Sequence, residues 1–399
     1  MERSLVEEVQ RIFESQFGAR PTQTAIAPGR AELLGNHTDY NQGLVMALAL
    51  DKYVVMAGAP RDDGRVRLYS QAFQDTVEFS LQQIEKDPAH SWAHYTKGLI
   101  LQLQQRGIRF GGMDAVIHST VPLGAGLSSS AALLVASAVL LRKLFPYRLL
   151  SFEKGENVSG NQMPPMDEEE KMFLARVCQA AENQFVGVNC GLLDHISSLF
   201  GRVDHAILID CLDLHVEWSP LPDSIGVVIA HSGVRHALVG GEYNERRASC
   251  ERVAQKLGVP SLRHVTLSML EEARGRLEET EYRYALHVVG ENERVREGSA
   301  LLREGKLEEF GQKLFESHES SRVNFRNSCP ELDTLVELAR EHPACIGARL
   351  SGGGWGGATI NLVRREGMED FLRYLASGYS ARQGRSLEAW PCRIVEGAH

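Results

Sequence analysis

The chain has 399 residues, 43% apolar and 24% charged, the make-up of an ordinary globular protein with room for two domains or three. Its 52 acidic residues outnumber 43 basic ones, giving a formal charge of −9, which excludes a general nucleic-acid binder dependent on a basic face. A small anionic ligand stays open, because main-chain amides at a helix start bind phosphate without net positive charge.

The opening residues, MERSLVEEVQ, are too charged for a signal peptide. Leu5, Val6, Val9, Ile12, Phe13 and Phe17 recur at helical spacing and predict an amphipathic helix. APGRAELLGNHTDYNQG, residues 27–43, then reads as a strand running into a turn that gathers Arg30, His37 and Asp39. A turn alone needs only glycine and asparagine. The extra polarity suits a polyhydroxylated ligand, which demands fixed donors and acceptors. A His-x-Asp metal site is the rival, without a further ligand cluster to complete it, and a solvated turn is the third reading.

LVMALAL, KYVVMAGA, VRLYS and DTVEFS follow as short strands of a sheet. MDAVIHS is another strand, and it leads into VPLGAGLSSSAALLVASAVLLRKLF, a glycine turn, three serines and a long apolar helix. Gly124 and Gly126 let a ligand approach the main chain, and the helix start favours an anion such as a polyphosphate. The same residues would serve a serine-capped helix after a tight turn. No GK[ST] follows the glycines, so this is not a Walker loop.

Residues 154–170, KGENVSGNQMPPMDEEE, lack a periodic apolar face and predict an exposed, mobile insertion. EKMFLARVCQAAENQF is a helix ending at Gly187, and a second half begins near Asp223 with the strand IGVVIAHS. Strands and helices alternate without strict βαβ repetition, so the expected class is α+β. ARLSGGGWGGATINL, residues 348–362, concentrates five glycines around Trp355; either a floor beneath a ligand or a strained turn packing domain on domain would require them. The seven cysteines are scattered without CxxC spacing, which predicts reduced thiols rather than disulfides or a zinc site. The longest nearly apolar run, Ala131 to Leu141, is too short to cross a bilayer. A soluble, cytoplasmic protein is expected.

PGRAELLGNHTDYNQG, GAGLSSSAAL and SGGGWGGATINL, in this order, resemble the three motifs of the GHMP kinase superfamily, and more narrowly those of the galactokinase family. The likeness extends through AENQFVGVNCGLLDH, EYNERRASCE, HVVGENERV and SCPELDTLVELA, leaving out the 154–170 insertion. The resemblance implies a two-domain fold with the active site in the cleft between the domains. Residues 1–215 would be a ribosomal-protein-S5-like domain and residues 216–399 a ferredoxin-like α/β domain. The implied activity is ATP-dependent phosphorylation of a sugar at its anomeric hydroxyl, with D-galactose as first substrate, Mg2+ as cofactor, and no nucleic-acid or membrane partner. Carried over by position, Asp194 matches the catalytic aspartate and Arg30 its cationic partner. Ser130 and Glu182 match magnesium ligands. Gly124, Ala125, Gly126, Leu127, Ser128 and Ser129 would hold phosphates, with Ser70 and Trp92 near the adenine. Asn36, His37, Asp39, Gly191 and Tyr243 match positions that contact the sugar.

Four departures qualify the match. Asn36 stands where the family usually carries a glutamate that contacts the sugar's C6 hydroxyl, and Glu32 stands where it carries asparagine. Loss of charge at position 36 opens galacturonic acid or L-arabinose as alternatives, with N-acetylgalactosamine as a further candidate substrate. His195 replaces a usual glutamine, and HALVGGEYNERR lacks the usual serines before Tyr243. Some relatives are sugar- and ATP-binding sensors that have lost serine-alanine from the phosphate loop, and GLSSSAAL is complete here.

Overall fold

A computed structural model describes residues 2–122, 124–159, 163–234 and 239–399. The chain opens with α1 (Glu2–Phe17), which lays Val9 and Phe13 against Tyr53, Val55 and Val116 of the first sheet. That sheet comprises β1 (Gln23–Leu34), β2 (Leu44–Arg61), β3 (Arg65–Ser70), β4 (Asp75–Ser80), β5 (Gly112–Ser119), β8 (His205–Asp210) and β9 (His215–Pro220). Its order is β4-β3-β5-β2-β8-β9, with β1 also paired to β2, and β3–β5 is the parallel pair.

LVMALAL and KYVVMAGA are one strand, not two. β2 continues through Asp51, whose polarity is absorbed by the chain's end: its amide donates to the Arg393 carbonyl and its carboxylate accepts the Arg393 amide. α2 (His94–Gln105) and α3 (Ser129–Leu144) follow, and α3 is buried on nearly every side from Ala131 to Arg142. This explains an apolar helix with little amphipathic contrast.

The 154–170 segment is tied down at both ends. Gly155–Asn157 (β7) pairs with Tyr147–Leu149 (β6), Asp167 caps α4 (Glu168–Ala180), and buried Glu170 meets Arg142 at 3.0 Å. The part of the expected mobile insertion at 160–162 lies outside the described residues. After α4 comes a wide turn, Ala181–Val186, and then α5 (Leu193–Phe200).

The first sheet takes in all of β9, so the change of sheet falls between 220 and 225 rather than at 215. The second sheet, antiparallel, is ordered β11-β12-β10-β13, with β10 at Ile225–His231, β11 at Cys345–Ser351, β12 at Ala358–Arg364 and β13 at Glu388–Cys392. Around it lie α6 (Val239–Leu257), α7 (Leu267–Glu272), α8 (Glu279–Arg303), α9 (Leu307–Ser320), α10 (Pro330–Glu341) and α11 (Met368–Gln383). All seven thiols are free. No helix among the described residues is long and apolar enough to cross a membrane.

Candidate active site

β1 is buried along almost its whole length, yet it carries Arg30 and Glu32. Buried charges require partners, and both find them across the molecule. Arg30 Nε donates to Asp194 Oδ1 at 2.7 Å, and Nη1 donates to the Gly126 carbonyl. Glu32 Oε1 accepts from Arg349 Nη1 at 2.8 Å.

Beyond β1 the chain turns at Gly35, and α8 anchors the turn. The Gly35 and Asn36 amides donate to Glu291 Oε2 at 2.8 and 2.9 Å. Burial alone would raise the Glu291 pKa, but Arg294, His287, Arg349 and the Asn36 amide hold it well below the usual carboxylate range. His37 sits at φ 61 in the left-handed region. Its Nδ1 faces the Tyr40 hydroxyl at 2.9 Å and its Nε2 the Gly353 carbonyl at 3.0 Å. Burial lowers its pKa to about 4, so the ring is neutral, with Nε2–H donating to Gly353. Both nitrogens are therefore used by the protein, and His37 acts here as a brace between the first and third glycine-containing stretches.

The glycine–serine loop resolves one open alternative. Ser128, in the left-handed region at φ 56, precedes α3 but does not cap it; its hydroxyl donates to Asp194 Oδ2. Among the described residues, therefore, no side chain caps the first amides of α3, and a helix start of this kind suits an anion. The backbone of Arg30 also joins this loop, donating to the Leu127 carbonyl at 3.1 Å. In the third stretch, Gly354 at φ 91 lies so close to the Asn327 carbonyl that no side chain would fit. That stretch both packs against its neighbours and presents Gly352 and Gly353 to the cleft.

The cleft encloses about 590 Å³ and is lined by most of the expected residues: Arg30, Asn36, His37, Asp39, Ser130, Glu182, Gly191, Asp194 and Tyr243, with Glu32 and Cys190 beside them. Asp194 comes from the first turn of α5. Burial works to raise its pKa, but Arg30, the Ser128 hydroxyl and His195 outweigh that and hold it below the ordinary carboxylate value. Asp39 goes the other way, pushed up to about 6, chiefly by burial, with repulsion from Glu32 and Asp194 added. Its carboxylate lies where any side chain at position 191 would be, so Gly191 is required there. Burial and the neighbouring carboxylates hold the Tyr243 hydroxyl well above its usual pKa, so it stays protonated.

Sequence spacing missed one cluster. Ligand atoms of Glu182, Cys190 and His195 lie within 4.8 Å of one another. His195 Nε2 is 3.1 Å from Glu182 Oε2, outside hydrogen-bond geometry, and neither ring nitrogen has a partner among the described residues.

Ser70 and Trp92 do not line this cleft. Buried Ser70 ends β3, and Trp92 stacks on Phe73 with ring centroids 6.1 Å apart and planes at 14°. Phe73 was not singled out from the sequence, nor were Arg349, Glu291 and Asn327, whose partners lie hundreds of positions away. HVVGENERV contains Glu291 and Arg294, so its family likeness was the available signal. Of the stretch HALVGG before Tyr243, residues 236–238 lie outside the described residues.

Three family models match the chain: the galactokinase galactose-binding signature at 11–60, the GHMP kinase N-terminal domain at 94–202 and the GHMP kinase C-terminal domain at 299–381. A galactokinase of Chloroflexus aurantiacus is 42% identical over 390 residues, covering 96% of this chain and 95% of that one. The Homo sapiens galactokinase is 40% identical over 384 residues, covering 94% and 92%. In fold, the crystal structure of Lactococcus lactis galactokinase complexed with galactose superposes with a TM-score of 0.89 at 29% identity, covering 99% of both chains.

Proposed function

This chain belongs to the galactokinase family of the GHMP kinases and is a sugar kinase, and we propose that it transfers the terminal phosphoryl group of ATP to the anomeric hydroxyl of D-galactose. The observation that carries this reading is the junction of Arg30, Ser128 and Asp194, where the sugar-side strand, the glycine–serine loop and α5 meet at the cleft. It puts a carboxylate and a guanidinium beside the helix start that suits a polyphosphate.

The anomeric hydroxyl is more acidic than an ordinary alcohol, because the ring oxygen withdraws electron density. Asp194 stays ionised; Arg30 Nε and Nη2 both face Oδ1 at 2.7 Å, while Oδ2 keeps a lone pair beyond its bond from Ser128, so it can hold the hydroxyl and take its proton. Arg30 offsets the negative charge that builds on the attacking oxygen and on the phosphoryl group in flight. Its bond to the Gly126 carbonyl ties that charge to the phosphate loop. Asp39 and Tyr243 line the cleft without a hydrogen bond to another side chain among the described residues, Asp39 being met by the Tyr40 amide, and both can still serve sugar hydroxyls.

Glu182 is a buried carboxylate lining the cleft with no lysine or arginine partner among the described residues. With the Ser130 hydroxyl it offers the hard oxygen donors that Mg2+ takes, and these two residues would hold the ion. Bound there, Mg2+ would neutralise phosphate charge. Ser70, Trp92 and Phe73 would border the adenine. Seven free thiols suit a reducing cytoplasm.

ADP release measured across a panel of free sugars tests the proposal. Turnover is expected to be fastest with D-galactose; turnover with no sugar would reduce the protein to a binding module.

A further inference from the structure

Asn36 lines the cleft, but its amide is spent. Nδ2 donates to Glu32 Oε1 at 3.0 Å and to the Gly352 carbonyl at 2.8 Å, while Oδ1 accepts from Asn327 Nδ2 at 2.9 Å and Ser321 Oγ at 3.5 Å. A carboxamide has two donor hydrogens and two acceptor lone pairs, so nothing remains for a ligand.

Glu32 is in the opposite condition. Oε1 is fixed between Asn36 and Arg349, whereas Oε2 has no hydrogen-bond partner among the described residues. The residue is only 4% exposed, and it lines the same cavity. Unlike the sealed unpartnered atoms of the interior, Oε2 keeps access to the cavity, and the cavity is the place from which a donor can come. Arg30 and Glu32 are two residues apart on β1 and therefore share a face. Their separation along the strand is about 7 Å, comparable to the reach of a pyranose from its anomeric carbon to its exocyclic group.

We propose that Glu32 is the specificity-determining residue of this sugar pocket, its Oε2 accepting a hydrogen bond from the C6 hydroxyl, with Asn36 as the clamp that aims it. The inference rests on the galactose reading above. The negative charge that position 36 lacks is supplied four residues earlier, held in place by Arg349. An acidic sugar would bring a second carboxylate against Glu32, so galacturonate is rejected. A sugar without the C6 hydroxyl leaves Oε2 unpaired.

Calorimetric dissociation constants for D-galactose, D-fucose (6-deoxygalactose) and galacturonate, on wild type and Glu32→Gln, test this without requiring turnover. Wild type is expected to bind galactose about 10- to 100-fold more tightly than D-fucose, the worth of one hydrogen bond to a charged group, and not to bind galacturonate. Glu32→Gln is expected to weaken galactose by a similar factor, to leave D-fucose within about threefold, and to admit galacturonate. Equal losses for galactose and D-fucose in the variant would assign Glu32 a purely structural role and overturn the proposal. So would wild type that does not distinguish the two sugars, a comparison that stands even if the variant fails to fold. Tight, discriminating binding with no ADP release would contradict the kinase reading while sustaining this one.

Discussion

Arg30 and Asp194, 164 positions apart in the chain, meet at 2.7 Å, and Ser128 of the glycine–serine loop completes the contact on the other carboxylate oxygen. Neither charge was placed there by local structure: a buried strand does not ask for arginine, and α5 does not need aspartate at its mouth in this orientation. The pair makes sense as a charged device at the reacting end of the cleft.

If Asp194 takes the proton, Asp194→Asn should lower kcat by about 10²–10⁴-fold. Because asparagine still reaches Arg30 and Ser128, sugar and ATP dissociation constants should move only a few-fold. A kcat drop smaller than about tenfold would show that another group receives the proton.

Gly191 and Asp39 are in contact so close that a methyl group at 191 would overlap the carboxylate. Gly191→Ala should therefore displace Asp39 and lower kcat/KM for the sugar by about 10²-fold, the scale set by a misplacement near 1 Å. The KM for ATP should be nearly unchanged. Equal effects on both substrates would mean a general distortion of the cleft.

How much of this was legible beforehand depended on how local each interaction is. The strands and helices follow from apolar spacing, and Arg30 and Asp194 follow from their motifs. The continuity of β2 did not, because it depends on Asp51 bonding Arg393 at the far end of the chain. The hydrogen bonds of Asn36 and His37 were hidden for the same reason: the family match places both at sugar-contacting positions, and nothing nearby in the sequence announces Asn327, Ser321, Gly352 and Gly353 as their partners. Glu32 drew notice only as an exchanged residue, since nothing nearby in sequence reveals its partner Arg349.

Asp39 makes a pH prediction with a definite sign. Its folded pKa, about 6, lies above that of the unfolded chain, chiefly because of burial. Between roughly pH 4 and 6 the native state holds a proton that the unfolded state releases, so this group's contribution to stability falls as pH rises through that window and stays lost above it. Asp39→Asn should therefore gain stability relative to wild type at pH 7, on the order of 1 kcal/mol, with the gap closing below pH 4; denaturant midpoints at both pH values measure it. Function runs the opposite way. If the ionised form accepts sugar hydroxyls, as proposed, wild-type kcat/KM for the sugar should fall below about pH 6, and Asp39→Asn should flatten that limb. Asp194, held low, should add no break there.

Glu182 should set the demand for divalent cation. Glu182→Gln is expected to raise the Mg2+ concentration for half-maximal rate by at least about tenfold, and saturating Mg2+ should restore part of the rate. An unchanged Mg2+ dependence would remove Glu182 from the ion's ligands.

The position of the transferred phosphate is the most direct test of the central claim. With [1-13C]galactose and ATP, the wild-type product should show phosphorus–carbon coupling at C1, and Asp194→Asn should form it at least a hundredfold more slowly. Phosphate on any other carbon, or undiminished C1 product from the variant, would contradict the account.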